Sequence, residues 1–236
     1  VQWFGLSHLI GLAGIALSCL IVARLGRSHP RWCPRLDRFL RAQLITYIVI
    51  AYAWRWTSLS LATCLPLHLC DFILIGAVYL LSRKHSQLVF ECIYLWSWSG
   101  SIWALITPDL SHDFPHYRYF EFFWGHGLIF VVLAHLESGQ GYRLHADSWK
   151  RAAWGLLLWT LSVGALDLTF GWNYGYLLCK PPGGSPLDYF GPWPLYIAVA
   201  NLLALLIFRL ICRVRVPTAA SSGSNPRASA RSTPRC

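Results

Sequence analysis

The stretch Leu65-Pro66-Leu67-His68-Leu69-Cys70-Asp71-Phe72 places an imidazole, a thiol and a carboxylate together in apolar surroundings. If it opens a helix, His68 and Asp71 are three apart and share a face. Pro66 suits a first turn, where its missing N–H costs nothing, and Asp71 is favoured there by the helix dipole. A second concentration is Phe114-Pro115-His116-Tyr117-Arg118-Tyr119-Phe120-Glu121-Phe122-Phe123-Trp124-Gly125-His126-Gly127, mostly aromatic with charge on its rim. The two glycines beside His126 let another helix or a ligand approach closely. Counted from their helix starts, Cys70 and His126 lie at depths that differ by only about 3 Å. A Cys and a His at matched depth suit a nucleophile–base pair. The plainer alternatives stay open: Asp71 caps the helix or pairs with His68, Cys70 only packs, and His126 bonds a neighbouring helix.

Further polar groups follow the same pattern. Thr107-Pro108-Asp109-Leu110 contributes Asp109. The later segment from Gly171 contributes Asn173 and Tyr174, then Cys179, Lys180 and a Pro-Pro-Gly-Gly turn. Arg55, Arg118 and Lys180 flank these elements, and cations beside an apolar cavity suit a phospholipid headgroup, with Arg holding phosphate bidentately. Singly, each is equally a snorkelling interface residue. The eight Cys form no CxxC, so neither a thioredoxin-like pair nor a zinc ribbon is expected. His68, His112, His116 and His126 match no metal-ligand spacing, and neither a metal nor a cofactor is expected. Cys64 and Cys179 are either two unrelated thiols or, on an oxidising face, a disulfide.

The elements that position these groups follow from composition. Of 236 residues, 56% are hydrophobic and 13% are charged, where soluble domains carry roughly a quarter charged. The mean hydropathy is +0.44. A soluble domain of this length has too little interior for that much apolar residue, so the bilayer is the expected solvent. No Met occurs, even at position 1; a trimmed chain and a non-Met start both fit. Spans of about 20 apolar residues are expected at 3–23, 39–56, 65–81, 88–107, 119–137, 149–170 and 192–212. The fold class is therefore all-α, a polytopic bundle of about seven transmembrane helices over residues 1–213. A disordered Arg/Ser/Pro-rich cytoplasmic tail over 214–236 follows it. This parsing puts 17 of the 20 basic residues on one side and only Arg55, Arg118 and Lys180 on the other. Positive residues stay cytoplasmic, which sets the N-terminus outside and the C-terminus inside. The same clustering accounts for the net charge of +10 without a nucleic-acid partner, and no soluble protein partner is evident.

The ordered motifs LPLHLCDF (65–72), TPDL (107–110), FPHYRYFEFFWGHG (114–127), NYGYL (173–177) and GPWP (191–194) resemble the YwaF-type family of bacterial integral membrane proteins. That family looks related to the eukaryotic multispanning acyltransferase that forms polyunsaturated ether phospholipids. The resemblance implies a multi-pass protein of the bacterial cytoplasmic membrane. It also implies acyl transfer through a membrane Cys, falling on Cys70, and a His on a later helix, falling on His126. Distant relatives that hydrolyse fatty-acid esters use Thr with His instead. On that reading Cys70 takes an acyl chain from a phospholipid as a thioester and a lysophospholipid or water accepts it. His126 is the base, Asp71 or Asp109 orients an imidazole, and Asn173, or alternatively Tyr174, stabilises the oxyanion. His68, Arg55, Arg118, Tyr174 and Lys180 would bind substrate. The rival classes are a membrane transporter or permease component, since intramembrane acids and His often mark transport paths, and a non-catalytic accessory membrane protein.

The charge split generates a topology test. Reporter fusions at Ser86 and Ser221 are expected to read cytoplasmic and one at Gly184 external; an external reading at Ser221 would overturn the seven-span arrangement.

Overall fold

The computed structural model describes residues 3–57, 59–82, 84–110 and 112–216. Regular structure among them is entirely helical. The long elements are α1 (Leu6–Ser28), α2 (Cys33–Trp56), α3 (Leu69–Leu81), α4 (Gln87–Ile106), α5 (Tyr117–Ser138), α6 (Ser148–Phe170) and α7 (Leu195–Arg215). Each falls on one expected segment with shifted ends. The expected tail lies outside the described residues from 217 on, and α7 continues to Arg215, past the expected boundary at 213.

Five helices, α1, α4, α5, α6 and α7, are long and apolar enough to cross a membrane. α2 has the length, 24 residues, but Arg35, Asp37, Arg38 and Arg41 interrupt its first turns. α3 is apolar but its 13 residues rise only about 20 Å, short of the roughly 30 Å hydrocarbon core. It is shorter than expected because Leu65–His68 is not helical. Pro66 therefore sits before the helix, not in its first turn, and His68 is the N-cap. Local chemistry sets the other ends. Pro34 occupies the first turn of α2, Ser86 Oγ accepts from Val89 N–H at 3.4 Å to start α4, and Gly171, at φ +70°, ends α6 in the left-handed cap that favours glycine. Within α4, Ser97–Ser101 forms a π turn.

The helices alternate in direction. At one end His8 Nε2 bonds Leu105 O at 2.7 Å and Tyr119 Oη donates to Ser7 O at 2.6 Å, joining the start of α1 to the end of α4 and the start of α5. At the other end His135 of α5 meets Asp37 of α2 at 2.7 Å, and Arg215 of α7 meets Glu137 of α5 at 3.4 Å. α5 runs through the middle, buried almost continuously from Leu128 to Leu133. The outward faces are apolar: Leu202, Leu206 and Leu210, one turn apart on α7, are each about 60% exposed. A soluble protein would not leave such a stripe to water; lipid is its natural neighbour.

At the basic end, Glu91 is wholly buried and held by Arg151 at 2.5 and 2.6 Å, Ser148 Oγ at 2.8 Å and Gln87 Nε2 at 3.0 Å. This network ties α4 to α6. Removing one partner of a buried pair leaves an uncompensated charge. Arg151→Ala is therefore expected to destabilise the detergent-solubilised protein near the lower end of the roughly 3–5 kcal/mol range, Arg151 itself being 42% exposed. Lys150→Ala, which breaks only the exposed pair with Asp147, should cost less than about 1 kcal/mol. Equal losses in reversible unfolding would overturn this ranking.

Candidate functional site

Asp71 is the hub of the end opposite the basic one. Its carboxylate, 3% exposed, takes Arg55 Nη1 at 3.3 and 3.4 Å and the His68 backbone N–H at 3.1 Å. Arg55 Nη1 also donates to Tyr52 Oη at 3.2 Å, with its guanidinium 4.8 Å from the Tyr52 ring. The end of α2 is thus pinned to the start of α3. Asp71 does cap its helix, as one alternative expected, but its ion pair is with Arg55 rather than His68.

The two histidines have opposite polarity, fixed by their partners. Gly175 N–H donates to His68 Nδ1 at 3.1 Å; a backbone N–H can only donate, so Nδ1 bears the lone pair and Nε2 the proton. His126 Nδ1 lies 3.1 Å from Phe122 O; a carbonyl can only accept, so Nδ1 bears the proton and Nε2 the lone pair. His126 is half-buried, its ring 4.4 Å from that of Phe122. It shares one electrostatic environment with His68, Asp71, Arg55 and Glu121. One imidazole N–H donor and one imidazole base therefore gather beside one ion pair.

Cys70 is half-buried and free. Its Sγ lies 3.3 Å from Ser101 Oγ, and Ser101 is buried at the end of the π turn of α4. A single π turn within an α-helix frequently marks a functional position. Ser101 was missed from sequence, although Ser97, Ser99, Gly100 and Ser101 form a polar run inside an apolar helix. Tyr176 was missed too: burial raises its phenol, and Asp109 and Cys70 lie within electrostatic range of it.

The remaining expected residues divide. Asn173 holds the loop after α6: Oδ1 accepts from Leu178 and Cys179 N–H at 3.0 Å and Nδ2 donates to Cys179 O at 3.0 Å. Its amide is committed to the loop rather than aimed at an oxyanion. Tyr174 is buried, donating to Leu61 O at 2.5 Å and accepting from Leu65 N–H at 3.0 Å, so its hydroxyl is likewise a fastener. Asp109 is exposed, and a Cβ built on Gly183 would collide with its Oδ1; it braces the Pro-Gly loop and makes no hydrogen bond to an imidazole among the described residues. Arg118 pairs with Glu121 at 2.9 Å on the rim. Lys180 lies 5.3 Å over the Tyr196 ring. Cys64 is buried and Cys179 exposed, and both are free thiols, so the disulfide alternative is not realised here. Among the described residues, no group of three or more His, Cys, Asp or Glu could hold a metal ion.

The TMEM164 family model matches residues 3–212. The chain belongs to the TMEM164 family, a membrane protein family. No curated protein and no solved structure matches the chain. As a TMEM164 family member it keeps every expected site residue, from Arg55 to Lys180, inside the matched region.

His126 owes its place to its glycines. Gly125 receives the Tyr47 ring of α2 and Gly127 the Ile15 side chain of α1, at distances that leave no room for a Cβ. Tyr47 is a rigid ring in the core, whereas the Ile15 side chain is able to turn. Gly125→Ala is therefore expected to destabilise by about 1–3 kcal/mol and to displace His126, with Gly127→Ala milder. Thermal unfolding checks the order, and a Gly125→Ala protein as stable as the parent would overturn it.

Proposed function

We propose that this TMEM164 family member is an acyltransferase of the cytoplasmic membrane. It moves a fatty acyl chain from a phospholipid, through a thioester on Cys70, to a lysophospholipid, with all seven helices embedded and the site in the outer half. The observation that supports this most is the pair of complementary imidazoles around Asp71, with Cys70 on the same turn. The resemblance to the acyltransferase that makes ether phospholipids points to the same Cys and the same His.

The steps follow from the tautomers. Substrate binding turns Sγ from Ser101 toward His126 Nε2, which takes the thiol proton. The thiolate attacks the ester carbonyl carbon. His68 Nε2–H donates to the oxygen on which charge develops, the role first expected of Asn173. The C–O bond breaks, and the leaving lysophospholipid oxygen takes the proton back from His126. A second lysophospholipid hydroxyl then gives its proton to His126 and attacks the thioester, and Cys70 leaves as thiolate and is reprotonated. Water in the second half would make the same site a hydrolase. Arg55 holds Asp71 and, with the rim cations Arg118 and Lys180, favours a phosphate-bearing substrate.

The interior argues against the transporter reading. Between the layer of His126 and that of His135, α5 presents Leu128, Ile129, Phe130, Val131, Val132 and Leu133, all buried. Those residues face Leu74, Ala77, Ile93 and Tyr94 in one apolar core, where a transport path would need polar groups throughout.

The test is transfer of a labelled acyl chain between phospholipid and lysophospholipid by the purified full chain in bilayers. Cys70→Ala, His126→Ala and the double variant are expected to fall to one similar residual rate, because either loss disables the same step. His68→Ala should lose about 10²–10³-fold in kcat, and Cys19, Cys92 and Cys212 should tolerate Ala. Full activity in well-folded Cys70→Ala would remove the covalent mechanism; solute counterflow that depends on His126 and Asp71 would replace it with transport.

A further inference from the structure

The basic end contains a cleft that the acyl-transfer site does not use. It has a volume of about 470 Å³ and is lined by Pro34, Asp37, Arg38 and Arg41 of α2 with Leu81 and Ser82 at the end of α3. That size lies within the roughly 300–1,000 Å³ typical of small-molecule sites. Arg38 and Arg41 are one turn apart and lie on one face. Arg38 uses Nε on Pro34 O at 3.3 Å, which leaves its Nη groups without a partner among the described residues. Arg41 is half-buried and makes no ion pair among them.

The acids at this end are already engaged. Asp37 Oδ1 accepts from His135 Nε2 and Gln140 Nε2, both at 2.7 Å. Glu91 is held by Arg151, and Glu137 meets Arg215. Two guanidinium groups thus line a concave site whose one carboxylate already accepts two bonds through Oδ1. Its depth is that of headgroups: exposed Trp32 takes the Arg35 guanidinium 5.0 Å from its ring, and Phe39 is exposed on the same helix.

We propose that this cleft binds a phosphate group, clamped between Arg38 and Arg41, and that its source is the headgroup of a glycerophospholipid in the leaflet at the basic end. Planar guanidinium forks suit phosphate oxygens, and each such bond is charge-assisted. Leu81 supplies an apolar wall, and the exposed Phe39 of α2 offers apolar surface to acyl chains. The site is separate from the Cys70 cluster, since α2 and α3 place the two at opposite ends of the same helix pair. Neither proposal depends on the other.

The test uses the full chain in a neutral maltoside detergent, read by native mass spectrometry. Phosphatidylglycerol is expected to bind and diacylglycerol with the same chains is not. Arg38→Gln/Arg41→Gln should weaken phosphatidylglycerol binding by about tenfold or more, while Arg35→Gln, outside the cleft, leaves it unchanged. Unchanged binding in the double variant, or equal binding of diacylglycerol, would overturn the proposal. Inorganic phosphate distinguishes the sources: failure to displace the lipid at millimolar concentration supports the headgroup, and full displacement would overturn that source in favour of the free anion. Should the double variant not fold, phenylglyoxal footprinting of the unaltered protein decides. Phosphatidylglycerol, not diacylglycerol, should shield Arg38 and Arg41, and no shielding would overturn the site.

Discussion

Asp71 keeps a carboxylate buried among apolar side chains only because Arg55 is there to meet it. An unpaired charge so buried would be costly enough to displace the helix or neutralise the group. Once paired, Asp71 does three structural jobs through two oxygens: it neutralises Arg55, joins α2 to α3 and caps α3 through the His68 N–H. The cap fixes the backbone of His68. Its ring then accepts from Gly175 N–H and draws the loop after α6 over the site. His126 has its own support, because Gly125 and Gly127 let α2 and α1 close against α5. The polarity of each imidazole follows from these backbone contacts rather than from any catalytic side chain.

Much of the fold was legible from hydropathy because lipid demands long apolar runs, and these are easy to count. The places where counting failed have physical causes. Residues 65–68 are as apolar as a helix, but Pro66 precedes a helix whose first turn is set by the Asp71 cap, so α3 is short. α2 extends back to Cys33 because Pro34 starts a helix well, and the Arg-rich turns that follow are mostly exposed, where charge does not end a helix. The π turn of α4 was invisible, since nothing in a hydropathy window distinguishes an i→i+5 bond from an i→i+4 bond.

The candidate site was partly legible for a related reason. Charged and nucleophilic residues stand out against an apolar background, so Cys70, Asp71, His126, Arg55 and His68 were found by type alone. Their partners were not, because hydrogen bonding decides whether a polar group is a tool or a fastener. Asn173 and Tyr174 look like ligands in sequence, yet each is bonded within or beneath its own loop. Ser101, a small residue in a run of Ser and Trp, is the group that touches the Cys70 thiol.

Burial imposes one more restriction on what the fold can do. Many of the buried polar groups gather toward two ends, one around Asp71 and His126 and one around Asp37, Glu91 and His135, while Ser97 of α4 and Thr160 of α6, the latter bonded to Asn201, sit midway along their helices. His126 and His135 lie nine positions apart on α5, about 13 Å of helix rise, and the buried residues between them include no polar side chain. Along α5 that stretch offers no polar side chain to a proton or a solute. On the acyl-transfer reading proposed above, each end works within its own half of the membrane. A lipid suits that geometry, because it arrives sideways along the apolar helix faces. A water-soluble substrate has no such route along the apolar faces and would have to reach either end from the aqueous side.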